Sequence, residues 1–353
     1  MLTLAEVLRR HWAQYERQFG AALLPSHRRA VQAVLNCRTP VLGGEVYRCA
    51  GCRQDHFVYH SCNHRACPQC GQTDTTEWIE RQKLRLLPVP YYLITFTVPA
   101  GLRAWLRSHQ KAGYSRLLKE SAGALQDVAR RDKYLGGELG VLSVLHTWGR
   151  QLQFHPHVHC VVPAGGLRPD GLRWCQPPTP DFFLPQIVLA ARFRNQMRLA
   201  LQDQPERDSI PAWVWKQKWV VDVQPVGSGE PALKYLSAYV YRTALGSQRI
   251  LQDQDGQVTF KYKDSQDQQW HTLRLPAMEF IRRFLQHVLP QGFQRVRYYG
   301  WLSAAASNKW ERVLALLDWK AAQLKTPEPR PPLLCPTCGQ TLRWFATLSR
   351  APP

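Results

Sequence analysis

Six of the ten cysteines in this 353-residue chain fall into three Cys-x-x-Cys pairs: Cys49/Cys52, Cys67/Cys70 and Cys335/Cys338. The first two pairs are separated by fourteen residues. Two such knuckles can set four thiolates tetrahedrally about zinc. The expectation is a structural Zn²⁺ site made of Cys49, Cys52, Cys67 and Cys70, with Gly51 and Pro68 easing the turns. Four protein ligands leave no open position, so this module would support folding or DNA binding rather than catalysis. The same segment offers Cys62, His56, His60 and His64 as further donors, and Cys62 could replace one ligand or help to hold a second ion. Cys335-Pro-Thr-Cys338 is half a site. Its partners would be Cys37 or Cys175, or come from another chain; unliganded thiols are the alternative.

A second constellation is His155-Pro-His157-Val-His159. Alternate residues of a strand share a face, so His157 and His159 point the same way and Val158 points into a core. Two imidazoles side by side can clamp a divalent cation. The plainer alternative is a stacked or surface pair, but the strand is otherwise apolar (Phe154, Cys160-Val-Val162). A hard cation needs at least one further ligand, which the spacing does not identify. The third constellation is Tyr235-Leu-Ser-Ala-Tyr239, in which the tyrosines are one helical turn apart on one face. Such a pair often packs a core. A phenol can also act as a nucleophile once its proton is removed and the scissile group is polarised.

The elements that position these residues follow from periodicity. Helices are expected over 4–19, 26–36, 74–87, roughly 102–133, 183–203, 232–245, 276–289 and 302–325. Strands are expected at 91–98, 141–148, 155–162 and 218–224, with a short β region over 249–275. Residues 41–72 read as short strands and turns around metal. The Pro-rich stretch 326–332 reads as a linker. Apolar residues make up 44% of the chain, enough for a sizeable core, whereas 46 Lys and Arg against 26 Asp and Glu give a net charge of +20. An excess of that size calls for an anionic partner, most commonly nucleic acid. The first ten residues carry charges and no long apolar run, so the expected protein is soluble and cytoplasmic, with no membrane role.

Taken together these blocks resemble the HUH endonuclease superfamily (His, bulky apolar residue, His, plus nucleophilic Tyr). More narrowly they look like the two-tyrosine, rolling-circle transposases of the insertion-sequence 91 family. The resemblance is carried by the Cys49–Cys70 cluster, by Leu145-His-Thr-Trp-Gly149 leading into His155–Gly166, by Tyr235-Leu-Ser-Ala-Tyr239, and by Glu279–Phe293 followed by Arg295-Val-Arg297. It implies an α+β fold: an antiparallel-sheet palm with flanking helices and an N-terminal zinc-binding module. His157 and His159 would hold Mg²⁺ or Mn²⁺ against a scissile phosphate. Tyr235 or Tyr239 would attack it, leaving a 5′-phosphotyrosine and a free 3′-OH. The implied partners are single-stranded DNA at element ends and target, within the nucleoid. The resemblance does not assign the family's third metal ligand to a named residue.

The expected domains are a helical and Cys-rich zinc-binding region (1–87), a catalytic region (88–248), a basic DNA-binding region (249–325) and a linker with a Cys-x-x-Cys tail (326–353). In the third, Arg282, Arg283, Arg295 and Arg297 would track phosphates, and the aromatics among them would either stack bases or pack a core. A plasmid replication initiator or relaxase would share the chemistry. A zinc-ribbon DNA-binding regulator without catalysis would share only the zinc and the charge. A zinc hydrolase is disfavoured by the lack of a His-Glu-x-x-His motif.

Overall fold

The computed structural model describes residues 2–70, 72–179, 182–240, 244–264, 267–320 and 331–350. The chain divides into two compact units, each assembled from separated segments: residues 1–74, 241–288 and 324–353 in one, residues 75–240 and 289–323 in the other. This differs from the linear division expected from the sequence, in which 249–325 forms one region and the tail stands alone. Strand pairing and helix packing, not sequence adjacency, set the boundaries.

Numbered along the whole chain, the first unit opens with helix α1 (Leu4–Phe19). Thr3 caps it: the Glu6 backbone N–H donates to the Thr3 hydroxyl and the Glu6 carboxylate accepts from the Thr3 backbone N–H, so two otherwise orphaned donors are satisfied. Helix α2 (Pro25–Asn36) starts on a proline, whose missing N–H costs nothing at that position. Strands β1 (Gly44–Cys49) and β2 (Asp55–Tyr59) form an antiparallel hairpin. A distant strand from the C-terminal end of the chain, β13 (Leu342–Leu348), completes the sheet on the other edge of β1. Strands β9 (Ile250–Gln254), β10 (Gln257–Lys263) and β11 (Trp270–Pro276) make an antiparallel meander. Its first turn is Asp255-Gly256, both with positive φ, as a two-residue hairpin turn of this hand requires. Helix α9 (Ala277–Leu285) buries Phe280, Ile281 and Phe284, with the Phe280 ring 5.8 Å from that of Phe260.

The second unit holds α3 (Gln72–Lys83, which begins in the first unit's last residues), strand β3 (Tyr91–Thr97), short α4 (Arg103–Ser108) and long α5 (Gln110–Ala129). The single helix expected over 102–133 is thus broken at His109. There follow β4 (Gly140–Trp148), β5 (Phe154–Pro163), a small β6 (Gly166–Leu167) and β7 (Trp174–Cys175) pair, α6 (Gln186–Ala200), short α7 (Trp213–Lys216), β8 (Val220–Pro225) and α8 (Glu230–Val240). Strand β12 (Val296–Gly300) and helix α10 (Ser307–Leu316) close it.

The centre of this unit is a five-stranded antiparallel sheet in the order β12-β4-β5-β3-β8. One face is apolar: Ile94, Phe96, Val141, Leu145, Val158, Cys160 and Val221 are buried in a core shared with Leu117 and Leu125 of α5 and Phe193 of α6. Period-two alternation sends the neighbours of these residues to the opposite face. There stand His146, His157, His159, Thr95 and Thr97, and α8 packs against β4 and β5. The fold is therefore mixed helix and antiparallel sheet. Among the described residues no helix is long and apolar enough to cross a membrane.

Candidate active site

Strand β5 is the middle strand of the sheet and is buried from Pro156 to Pro163. Its pairing with β4 sets His146 directly across from His157, and its pairing with β3 sets Thr95 across from His159. One ring nitrogen each of His146, His157 and His159 lies within 4.8 Å of the others, close enough to hold one metal ion. The structure therefore joins the expected pair and adds a third imidazole that sequence spacing alone did not identify. Val144 and His146 share a strand face, which was readable. Their register was not: a bulge between His146 and Trp148 shifts the β4–β5 hairpin by one residue, and without it Pro156 would face His146.

Each imidazole is oriented by a partner. His157 donates its Nδ1–H to the His155 carbonyl at 2.7 Å, which leaves its Nε2 as the basic nitrogen turned to the cluster. Nδ1 of His146 lies 2.8 Å from that Nε2, so it is the donor of the pair. Nδ1 of His159 lies 3.0 Å from the Thr95 hydroxyl. Burial, and then the like charge of His159, hold His157 well below the usual imidazole range, and burial alone lowers His159 to about 4. The rings of His157 and His159 are thus neutral near pH 7, the state in which imidazole ligates metal. His155 lies within β5. Its Nδ1 accepts from Arg103 at 2.8 Å, so it belongs to an arginine contact and not to the cluster.

Helix α8 brings Tyr235 to the edge of this cluster. The Tyr235 ring meets that of His159 edge-on, with centroids 5.6 Å apart, and the residue is 43% exposed. Leu233, Leu236 and Val240 turn inward and anchor the helix. Tyr239 follows one turn on; its side chain lies outside the described residues, as does all of Tyr241.

The cysteines correct the expected zinc set. Cys49/Cys52 and Cys67/Cys70 do not share a site; they fall into two clusters, Cys37–Cys62–Cys67–Cys70 and Cys49–Cys52–Cys335–Cys338, in each of which the sulfurs lie within 4.8 Å. The physical reason is β1. Cys49 ends it, and pairing with β13 delivers the tail knuckle to that end, while Cys37 at the close of α2 and Cys62 after β2 reach Cys67 and Cys70 instead. The Cys37–Cys70 and Cys62–Cys70 sulfur separations are 3.5 and 3.6 Å, close to the roughly 3.8 Å edge of a tetrahedral zinc–thiolate site. The Cys67 thiol, helped by the His64 N–H, holds Cys62 well below the usual thiol range in spite of burial. Cys62, Cys335 and Cys338 are therefore full members of clusters. Cys175 lies in the other unit, its thiol 3.5 Å from the Gly136 carbonyl.

The four arginines expected to track phosphate are divided between the units. Arg282 and Arg283 on α9 both bond Glu279, the latter at 2.7 Å. Arg297 donates to the Ser115 hydroxyl at 2.9 Å from strand β12. Arg295 is buried, which removes it from a phosphate-tracking set, and its carbonyl accepts from Leu145. Phe280, Phe284 and Phe293 are core residues rather than base-stacking rings.

Residues 140–309 match the family model described as "Putative transposase", and residues 7–98 match that of a transposase zinc-binding domain. The chain is 36% identical over 322 residues to "Putative transposase y4qJ" of Sinorhizobium fredii (strain NBRC 101917 / NGR234), covering 85% of this chain and 80% of that protein. It is 27% identical over 352 residues to the transposase for insertion sequence element IS801 of Pseudomonas savastanoi pv. phaseolicola, covering 90% and 83%. No solved structure matches the chain.

Proposed function

Because the chain belongs to the insertion-sequence 91 family of transposases, we propose that it nicks and rejoins single-stranded DNA at the ends of an insertion sequence through a 5′-phosphotyrosine link. The observation that carries this reading is the meeting of three converging imidazoles with the exposed Tyr235 ring. The five-stranded antiparallel sheet with helices against it is the framework an HUH palm would need.

His146, His157 and His159 would hold the metal. Three nitrogen donors suit a first-row transition ion better than Mg²⁺, so Mn²⁺ is the expected ion of the two. When bound, such a cation polarises the scissile phosphate and offsets its charge. Tyr235 supplies the nucleophile: its phenol gives up a proton, its oxygen bonds the phosphorus, and the bond to the 3′ oxygen breaks. The 3′ oxygen takes a proton and leaves as a free hydroxyl, while the 5′ phosphate stays on the tyrosine. One phosphodiester is exchanged for another, so rejoining needs no outside energy. Tyr239, one turn along α8, is the second acceptor that would let two DNA ends be held in turn. The cysteine module supplies structural zinc, and the net charge of +20 supplies affinity for DNA.

The test is cleavage of labelled single-stranded oligonucleotides from the element's ends with Mn²⁺ or Mg²⁺, comparing the unaltered protein with Tyr235→Phe, Tyr239→Phe, the double variant, His146→Ala and His157→Ala. The expected product is a protein–DNA adduct that survives denaturation, requires metal, and is lost in the double tyrosine variant and in both histidine variants. Tight DNA binding with no adduct on correct ends would replace this reading with a DNA-binding protein that does not cut.

A further inference from the structure

Cys335 and Cys338 lie outside both segments matched by the family models, near the C-terminal end of the described chain, yet the fold carries them onto Cys49 and Cys52. We propose that these four cysteines bind a second zinc ion, distinct from one held by Cys37, Cys62, Cys67 and Cys70, and that this ion staples strand β13 to β1.

Cys49 Sγ lies 3.3 Å from Cys338 Sγ, and Cys52 Sγ lies 3.7 Å from Cys335 Sγ. Disulfide sulfurs would be about 2.0 Å apart, whereas thiolates about 2.3 Å from a common zinc sit roughly 3.8 Å from one another. The two knuckles are also the same turn used twice. In each, the N–H of the first cysteine donates to the carbonyl five residues on: Cys49 to Gln54 at 3.0 Å and Cys335 to Gln340 at 2.7 Å. In each, the residue after the second cysteine is left-handed, Arg53 with φ 59° and Gly339 with φ 74°. Arg53 accepts a conformation that disfavours a side chain, which marks the turn as required rather than incidental. The Gly51 N–H points to Cys49 Sγ at 3.4 Å, and Nε2 of His56 lies 3.3 Å from Cys335 Sγ, both suited to steadying thiolate charge.

The strand beyond the knuckle shows why a staple is needed. Strand β13 pairs along all of β1, but Trp344 and Phe345 remain 62% and 51% exposed, so it buries little apolar surface of its own. A zinc ion joining Cys52 to Cys335 closes a loop through most of the chain, where a cross-link removes the most disorder from the unfolded state. Binding converts thiols to thiolates, and the protons pass to solvent.

The proposal is independent of the nicking chemistry and is tested on the full chain by zinc content. The unaltered protein is expected to carry two zinc ions and Cys335→Ser/Cys338→Ser one. A thiol-alkylation map of the unaltered protein gives a second reading, because Cys52 and Cys338 are exposed and would react at once if unliganded. They are expected to stay unreactive until a zinc chelator is added, and this result decides the matter if the double variant fails to fold. One zinc in the unaltered protein, two retained in the variant, or rapid alkylation of Cys52 and Cys338 in the zinc-loaded protein would each overturn the proposal.

Discussion

The histidine cluster and the cysteine clusters present opposite surroundings. His146, His157 and His159 stand on the central strands of a five-stranded sheet whose other face is a packed core, and hydrogen bonds orient His157 and His159 from behind. The cysteines stand on turns and strand ends around a three-stranded sheet that leaves Phe57, Val58, Trp344 and Phe345 exposed. In the first region packing builds the site and the metal would be a guest. In the second there is little core to do the building, so the metal would hold the structure. The same division would separate a catalytic metal site, which needs open coordination positions, from a structural one, which needs none.

Metal removal gives the largest contrast. Structural zinc contributes on the order of 10 kcal/mol to folding in small zinc modules. A strong chelator is therefore expected to abolish amide-exchange protection over β1, β2 and β13 while β4 and β5 stay protected. Equal loss in both regions would contradict the division. Next is Leu145→Ala, which empties a core position on the sheet's apolar face; it should cost about 2–5 kcal/mol in thermal or denaturant unfolding of that unit, with zinc content unchanged.

Acid should act on the histidine region in a defined window. His159 titrates at about 4 in the folded chain against an ordinary 6.5, so the unfolded chain binds more protons between those values. Its contribution to stability is then complete above about 6.5 and is lost as pH falls toward 4. His157 is lowered too and acts in the same direction. A pH series of unfolding midpoints in metal-free protein that stays flat from pH 7 to about 4 would contradict this. Thr95→Val removes the hydroxyl beside His159 without changing volume much. The Mn²⁺ concentration for half-maximal cleavage should rise about 10–100-fold with the fold intact. Smallest of all, Arg282→Ala breaks an exposed pair with Glu279 and should change stability by under about 1 kcal/mol.

Much of this was legible in the sequence. The alternation of His157, Val158 and His159 gave the strand, its faces and two members of the histidine cluster, and the tyrosine spacing gave α8. What was not legible depended on pairing between distant segments. His146 enters the site through a hairpin register set by one bulge. Cys335 and Cys338 find Cys49 and Cys52 only because β13 adds to β1 across most of the chain. Two Cys-x-x-Cys pairs fourteen residues apart looked self-sufficient, and local spacing has no term for a third pair nearly three hundred residues away. Arg295 looked like surface charge, but it sits beside the edge strand β12, which the sequence reading placed in no strand, and is buried there.

The most direct test of the central claim is to trap the protein on a single-stranded element end with Mn²⁺, digest it, and identify by mass spectrometry the peptide that carries DNA. The expected result is a 5′-phosphate ester on Tyr235 or its neighbour one turn on, absent when His146 is replaced by alanine. A DNA-linked peptide from elsewhere in the chain, or an adduct that forms equally well without His146, would contradict it.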